Sequence, residues 1–168
     1  PGAKFAPRYA PDGLRLAYLV DLDGSEWYDV WVCDLETGSA ANLTPATDYA
    51  IQPKLSWSPD GANLAFISDQ SGSFSTYLLP LPAEWPPTHL AAPRLVADHH
   101  VFEPGGPHWE VHWSPDGRWL AVTCEGRGQD YYTFLVSTAG AQKIQPVTLA
   151  GELINAKEAA WSPDGSHL

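Results

Sequence analysis

The sequence has only two cysteines, no methionine, and nine lysine and arginine residues against twenty acidic ones. Cys33 and Cys124 fall in apolar runs assigned below to separate repeats that do not touch, so we expect two free, buried thiols. The basic residues are scattered singly and the formal net charge is -11, so a nucleic-acid partner is not expected. No apolar run approaches the roughly 18 residues of a membrane span.

Several catalytic motifs are also missing. No serine has a glycine two residues away on both sides, so the Gly-x-Ser-x-Gly nucleophile elbow is absent. The sequence has neither a glycine-rich phosphate loop with a lysine nor a Cys-x-x-Cys pair. We therefore predict no catalytic residue and no cofactor in this chain. With 44% hydrophobic and 12% aromatic residues, it can still bury a substantial core.

One pentapeptide, aromatic-x-Pro-Asp-Gly, occurs four times. Its successive prolines are 48, 56 and 48 residues apart, a period that fits a four-stranded propeller blade with its loops. The defining residues are Tyr9, Pro11, Asp12 and Gly13; Trp57, Pro59, Asp60 and Gly61; Trp113, Pro115, Asp116 and Gly117; and Trp161, Pro163, Asp164 and Gly165.

Each pentapeptide predicts a tight turn between the first and second strands of a blade. Proline supplies a φ near -65°, aspartate tolerates the next position, and glycine takes the left-handed conformation that closes the hairpin. The aromatic residue ends the first strand, where a large flat side chain can wedge between neighbouring blades. We therefore expect the four aromatic residues to lie in the core between blades.

Apolar and β-branched runs of strand length follow the first three turns, and no window has convincing helical periodicity. The predicted fold is all-β, a partial β-propeller of four-stranded antiparallel blades. Residues 1–168 form one partial propeller domain, with blade 1 over 4–44, blade 2 over 53–97, blade 3 over 109–148 and the start of blade 4 over 158–168. Strands d, the outermost, are expected at 41–44, 94–97 and 143–148.

An arc of three blades leaves a sheet face bare at each end. We therefore expect the chain to be a piece of a longer propeller of six to eight blades. The rest of that propeller is the first partner that we expect for this chain. Residues 82–93 contain several prolines and predict an irregular surface excursion, with Trp85 as its anchor. A partner contact through Trp85 and His89 is the alternative.

Histidine and glutamate cluster before the third pentapeptide, at His99, His100, Glu103, His108, Glu110 and His112. Since side chains alternate along a strand, His108, Glu110 and His112 are expected on one face, where they are candidate metal ligands. Histidines that cap loops by hydrogen bonding are the alternative. Residues 21–26 have acidic side chains at alternate positions before a glycine but lack the later bidentate glutamate of a calcium loop, so we expect an aspartate-stabilised turn.

The four pentapeptides resemble the repeats of TolB-like propellers. The stretch from Leu16 to Gly38, with its Asp-x-x-Gly-x-Glu turn before an aromatic strand, and the following Asn42-Leu43-Thr44-Pro45 are similar to the propeller of prolyl oligopeptidase-family serine peptidases, especially the acylaminoacyl-peptidase branch. That resemblance implies a gating propeller joined to an α/β-hydrolase domain with a Ser/Asp/His triad. None of the triad positions lies in this chain.

Three functions follow from the resemblances. The first is the gating, substrate-selecting propeller of a peptidase, which implies a hydrolase-domain partner and a cytoplasmic location. The second is a TolB-like propeller that binds a protein or peptide in the periplasm or outside the cell. The third is a metal-dependent lyase, since the repeats also resemble oligogalacturonate lyases, with His108, Glu110 and His112 as ligands.

Overall fold

The computed structural model describes residues 2–45, 48–101, 106–126, 128, 130–139 and 144–168. Its strands form three four-stranded antiparallel sheets, each with strands in chain order, and one two-stranded sheet. The described residues contain no α-helix, and one 3₁₀ turn spans His99–Val101. The predicted all-β class and partial propeller architecture are confirmed.

Each large sheet takes its four strands from one repeat. Sheet 1 consists of β1 (Ala3–Tyr9), β2 (Arg15–Asp21), β3 (Tyr28–Asp34) and β4 (Ala40–Asn42). Sheet 2 consists of β5 (Ile51–Trp57), β6 (Asn63–Ser68), β7 (Ser75–Pro80) and β8 (Arg94–Ala97). Sheet 3 consists of β9 (His108–Trp113), β10 (Trp119–Glu125), β11 (Tyr131–Ser137) and β12 (Ile144–Pro146). The two-stranded sheet pairs β13 (Thr148–Leu149) with β14 (Glu152–Leu153).

The four pentapeptide turns share one geometry. In each, the glycine has a φ between 68° and 73°, and its N–H donates a 2.9 Å hydrogen bond to the carbonyl three residues earlier. The aspartate then accepts a hydrogen bond from the backbone N–H two residues later, as in Asp116 to Arg118. Residues 161–168 form this turn without a strand, so the fourth repeat is represented by its first hairpin turn alone.

Sheet 2 is covered on both faces, because alternate residues of β6 point to opposite sides. Leu64 and Phe66 pack with sheet 1 in one apolar cluster, whereas Ala65 and Ile67 pack with sheet 3 in a second cluster. A strand buried on both faces is apolar throughout, which explains the continuous hydrophobic run of β6. The sheets therefore stack face to face in chain order, as propeller blades do.

The outer strand of blade 1 is predicted over 41–44, whereas β4 covers 40–42. The observed strand therefore begins one residue and ends two residues before the predicted one. Beyond Asn42, the hydroxyl of Thr44 accepts a 2.8 Å hydrogen bond from the N–H of Val30. A side chain thus replaces the backbone partner that a longer strand would have provided. The predicted strand at 94–97 coincides with β8.

The outer strand of blade 3 was predicted over 143–148, but β12 ends at Pro146 and Thr148 belongs to the separate hairpin of β13 and β14. The chain reverses at Ala150 and Gly151, which have positive φ values of 53° and 87°. Two successive left-handed residues favour a tight hairpin, and this reversal removes Thr148 from sheet 3. Residue 143 lies outside the described residues.

Both cysteines are free. Cys124 is buried, and burial raises the pKa of its thiol to about 11. Cys33 is only half-buried, so the expectation of two buried thiols is wrong for this residue; it lies on the outer strand pair of sheet 1. Within the described ranges, no helix has the length and apolar character needed to cross a membrane.

Candidate functional site

The first strands of the three large sheets lie side by side, with β5 contacting both β1 and β9. In a propeller these are the innermost strands, which surround the central channel. All three have a break in their pairing with the second strand, between Phe5 and Arg8, between Ile51 and Leu55, and opposite Thr123 and Cys124. Such β-bulges redirect side chains, and here they do so along the inner surface of the arc.

Glu110 joins three successive inner segments. One of its carboxylate oxygens accepts a 2.8 Å hydrogen bond from Nζ of Lys54 on β5. The other accepts a 2.9 Å hydrogen bond from the backbone N–H of Glu158, which precedes the fourth pentapeptide. Glu110 is buried, and each of its two carboxylate oxygens has a hydrogen-bond partner. We call Lys54, Glu110 and Glu158 the inner-strand charge group.

His112 lies next to this group. Burial is the main reason why its pKa is lowered, and the charges of Lys54 and Arg8 lower it further, against an opposing effect of Glu110. The imidazole is therefore biased towards its neutral form at physiological pH. Arg8, Lys54 and His112 come from three different sheets, so the inner surface combines side chains from the first three repeats.

His108 lies apart from Glu110 and His112, which corrects the prediction that these three share a face. Because of the bulge, His108 pairs with Cys124 whereas Glu110 pairs with Thr123, and consecutive residues of β10 point to opposite faces. His108 is fully buried, with Nδ1 2.8 Å from the hydroxyl of Thr76 in sheet 2. Burial lowers its pKa to about 3.

A different set of residues brings metal-ligating atoms together. One atom from each of Asp98, His99 and His100 lies within 4.8 Å of the others, and the described residues show no second group of this kind. The cluster predicted from the sequence included the two histidines but not Asp98. A carboxylate directly before two consecutive histidines could have indicated this third ligand. Glu103, another member of the predicted cluster, lies outside the described residues.

The turn at residues 21–26 is held by its own aspartates. Asp21 accepts hydrogen bonds from the N–H groups of Gly24 at 2.7 Å and Glu26 at 3.2 Å. Asp23 accepts from the hydroxyl of Ser25 at 2.6 Å, and this bond is the main reason why the pKa of Asp23 is lowered. These bonds agree with the predicted aspartate-stabilised turn.

Two of the four pentapeptide aromatics, Trp57 and Trp161, reach the first strand of the preceding sheet through their indole N–H groups. Nε1 of Trp57 donates a 2.9 Å hydrogen bond to the carbonyl of Arg8 on β1, and Nε1 of Trp161 lies 3.4 Å from the carbonyl of His112 on β9. Trp57 is buried, and Trp113 and Trp161 are half-buried. Tyr9, in contrast, is 70% exposed, so its predicted core position is wrong for this chain: no sheet precedes sheet 1 among the described residues.

The proline-rich excursion packs back onto sheet 1 through one side chain. Nε1 of Trp85 is 2.9 Å from the hydroxyl of Ser39 and 3.3 Å from its carbonyl. The indole packs against the apolar cluster between sheets 1 and 2. His89 is exposed. Trp85 therefore has the anchoring contacts expected of a fixed insertion.

No protein-family model matches the chain. An uncharacterized peptidase of Bacillus subtilis (strain 168), YuxL, is 32% identical over 131 residues, which cover 73% of this chain and 18% of that protein. The chain thus spans less than a fifth of that relative's length.

Two solved structures are similar to most of the chain. A TolB from Agrobacterium tumefaciens has a TM-score of 0.72 at 19% identity and covers 98% of this chain and 56% of its own. A prolyl endopeptidase has a TM-score of 0.61 at 14% identity, over 86% of this chain and 21% of its own. The chain is therefore a partial β-propeller with TolB-like Pro-Asp-Gly repeats, similar to the propellers of prolyl oligopeptidase-family peptidases.

Proposed function

We propose that this chain is part of the gating propeller of a prolyl oligopeptidase-family serine peptidase. The observation that carries the proposal is the 32% identity to a Bacillus subtilis peptidase over 131 residues. The Asp-x-x-Gly-x-Glu turn before the aromatic strand β3 supports the same family. In this role the propeller contributes no catalytic residue, and a separate α/β-hydrolase domain performs the cleavage.

The inner surface suits a passage for peptides. It is polar and charged where the inner-strand charge group lies, so an extended peptide backbone can keep hydrogen-bonding partners along the way. The Lys54–Glu110 ion pair and the bond to the N–H of Glu158 fix the inner strands against one another. A rigid inner wall of this kind selects by size, because a folded protein cannot pass where an unfolded peptide can.

A TolB-like propeller that binds a protein or peptide is the second candidate. Its specific support is the similarity to TolB from Agrobacterium tumefaciens, which extends over 98% of this chain. In this role the same inner surface presents a binding mouth to a partner, with no cleavage. The two functions differ in one feature that can be measured, the presence of an activated serine in the complete protein.

The test uses the complete protein that contains this chain. We expect a fluorophosphonate probe to label one serine stoichiometrically, and we expect cleavage of N-acylated and free chromogenic peptides up to a length limit. Casein should be cleaved slowly and a folded globular protein should not be cleaved. Absence of labelling, together with saturable binding of a peptide library, would reject the peptidase and favour the binding propeller.

Gating is tested separately with a variant of the inner wall. Glu110→Ala removes the contacts to Lys54 and to the N–H of Glu158, so the length limit should shift to longer peptides while the turnover of a dipeptide substrate stays the same. Glu84→Ala, in the surface excursion, is the matched control and should change neither value. An unchanged length limit in Glu110→Ala contradicts a gate at this position.

A further inference from the structure

We propose that Asp98, His99 and His100 form a binding site for a first-row divalent cation of the Zn²⁺ type. The group lies in the connection between β8 and β9, where the chain passes from sheet 2 to sheet 3. It offers two imidazoles and one carboxylate, with one ligand atom of each residue within 4.8 Å of the others. The site is separate from the inner-strand charge group and does not depend on the proposed peptidase function.

The donor set selects the class of ion. Imidazole nitrogens suit Zn²⁺, Cu²⁺, Ni²⁺ and Co²⁺, whereas Ca²⁺ and Mg²⁺ need sites made mainly of oxygen ligands. In a tetrahedral Zn²⁺ site with bonds of about 2.0–2.1 Å, neighbouring ligand atoms are about 3.3 Å apart. Nδ1 of His99 and Oδ1 of Asp98 are 3.2 Å apart, so this pair has the required separation.

His99 is held in place by a buried residue of the neighbouring strand. The hydroxyl of Ser75, at the start of β7, accepts a 3.2 Å hydrogen bond from the backbone N–H of His99. The same hydroxyl lies 3.3 Å from Nδ1 of the imidazole. The backbone of His99 is therefore fixed to sheet 2, which lowers the entropy lost when a metal binds, and Nδ1 exchanges the Ser75 hydroxyl for the ion.

Asp98 and His100 complete the group from either side of His99. Oδ1 of Asp98 accepts a 2.9 Å hydrogen bond from the N–H of His100, which orients the carboxylate. The ring of His100 is exposed and its centroid lies 3.7 Å from that of His99. An exposed ring can rotate about its side-chain bonds to reach an ion between the three residues. Three protein ligands leave a position open for water, as in accessible zinc sites.

Isothermal titration of the metal-free chain with Zn²⁺ tests this proposal, supported by the visible absorption of Co²⁺ in the same site. We expect one ion per chain. His100→Gln and Asp98→Asn should each weaken the affinity by about tenfold or more, since each removes a ligand or its charge. His89→Gln removes an exposed histidine of the excursion and should leave the affinity unchanged. Zn²⁺ should also raise the melting temperature of the wild type and not of His100→Gln.

Three results would overturn the proposal. The first is the absence of stoichiometric Zn²⁺ binding. The second is an equal loss of affinity in His89→Gln, which indicates non-specific binding to surface histidines. The third is a loss of affinity in His112→Gln with none in His100→Gln, which assigns the ion to the inner surface instead. Because His100 is exposed, its substitution should preserve the fold, and the far-ultraviolet circular dichroism spectrum of each variant checks this.

Discussion

Nε1 of Trp57, the last residue of β5, donates a 2.9 Å hydrogen bond to the main-chain carbonyl of Arg8 on β1. The bond crosses from one sheet to the next, and the indole that makes it is only 8% exposed. Trp161 has the same relationship to His112 two repeats further along, where the fourth pentapeptide meets sheet 3. The pentapeptide that turns the chain within one blade thus also places the side chain that fastens this blade to its predecessor.

Trp57→Ala should lower the free energy of unfolding by about 3–5 kcal/mol, because it leaves a cavity between sheets 1 and 2 and removes the indole bond to the carbonyl of Arg8. Tyr9→Ala is the matched control at the same position of the first repeat. Since Tyr9 is 70% exposed, its change should stay within about 0.5 kcal/mol. Urea unfolding of both variants measures the difference, and equal effects contradict the proposed wedge.

Glu110→Ala should destabilise the chain by about 0.5–1.5 kcal/mol, mainly because the N–H of Glu158 loses its acceptor. Lys54→Met should have a small effect, since the lysine side chain is 40% exposed. A double-mutant cycle between Lys54 and Glu110 should give a coupling energy below about 1 kcal/mol. A larger coupling energy would show that the ion pair itself, more than the backbone bond, holds the inner strands.

Acidification should destabilise the fold through His108. Burial lowers its pKa from 6.5 to about 3, so the unfolded chain takes up a proton at a pH where the folded chain does not. The contribution of His108 to the free energy of unfolding is therefore fully present above pH 6.5. It is lost as the pH falls from 6.5 towards 3, with a slope of up to about 1.4 kcal/mol per pH unit. His112, whose pKa is also lowered, adds to this effect.

The contribution of His108 is isolated by comparing urea unfolding at several pH values between 7 and 5. His108→Gln should have a shallower dependence on pH than the wild type, whatever its absolute stability. His89→Gln, which replaces an exposed histidine, should keep the wild-type slope. Parallel slopes for the wild type and His108→Gln would contradict a neutral, buried imidazole.

Trp85→Ala should release the proline-rich excursion from sheet 1. The indole bonds to Ser39 and packs on the core, so its loss should expose residues 82–93 to thermolysin and increase cleavage there by about tenfold, which corresponds to about 1.4 kcal/mol of local stability. The far-ultraviolet circular dichroism spectrum should remain unchanged, because the three sheets stay folded. Trp27→Ala, at a residue 52% exposed in a turn of sheet 1, is the control and should not alter cleavage within 82–93.

Local chemistry explains why so much of the fold could be predicted from the sequence. The Pro-Asp-Gly turn is specified by φ preferences and by hydrogen bonds within a few residues, so it can be recognised without tertiary information. The strand predicted at 94–97 coincides with β8, because apolar and β-branched runs between turn signals favour strands.

The positions of the site residues depend on features that the sequence does not display. The bulge in β9 moves His108 to the opposite face from Glu110 and His112, and simple alternation cannot reveal it. The exposure of Tyr9 depends on which sheets surround it, although its repeat position equals that of Trp57. Asp98 directly precedes the 3₁₀ turn of His99–Val101, and its place in the candidate metal group depends on the backbone conformation there.

The most direct test of the central claim is an experimental structure of this chain, by crystallography or nuclear magnetic resonance. We predict three stacked four-stranded sheets in which the indole of Trp57 contacts the carbonyl of Arg8 and that of Trp161 contacts the carbonyl of His112. Sheets that pack in another order, or indoles of Trp57 and Trp161 that point to solvent, would contradict a propeller held together by its own turn motif.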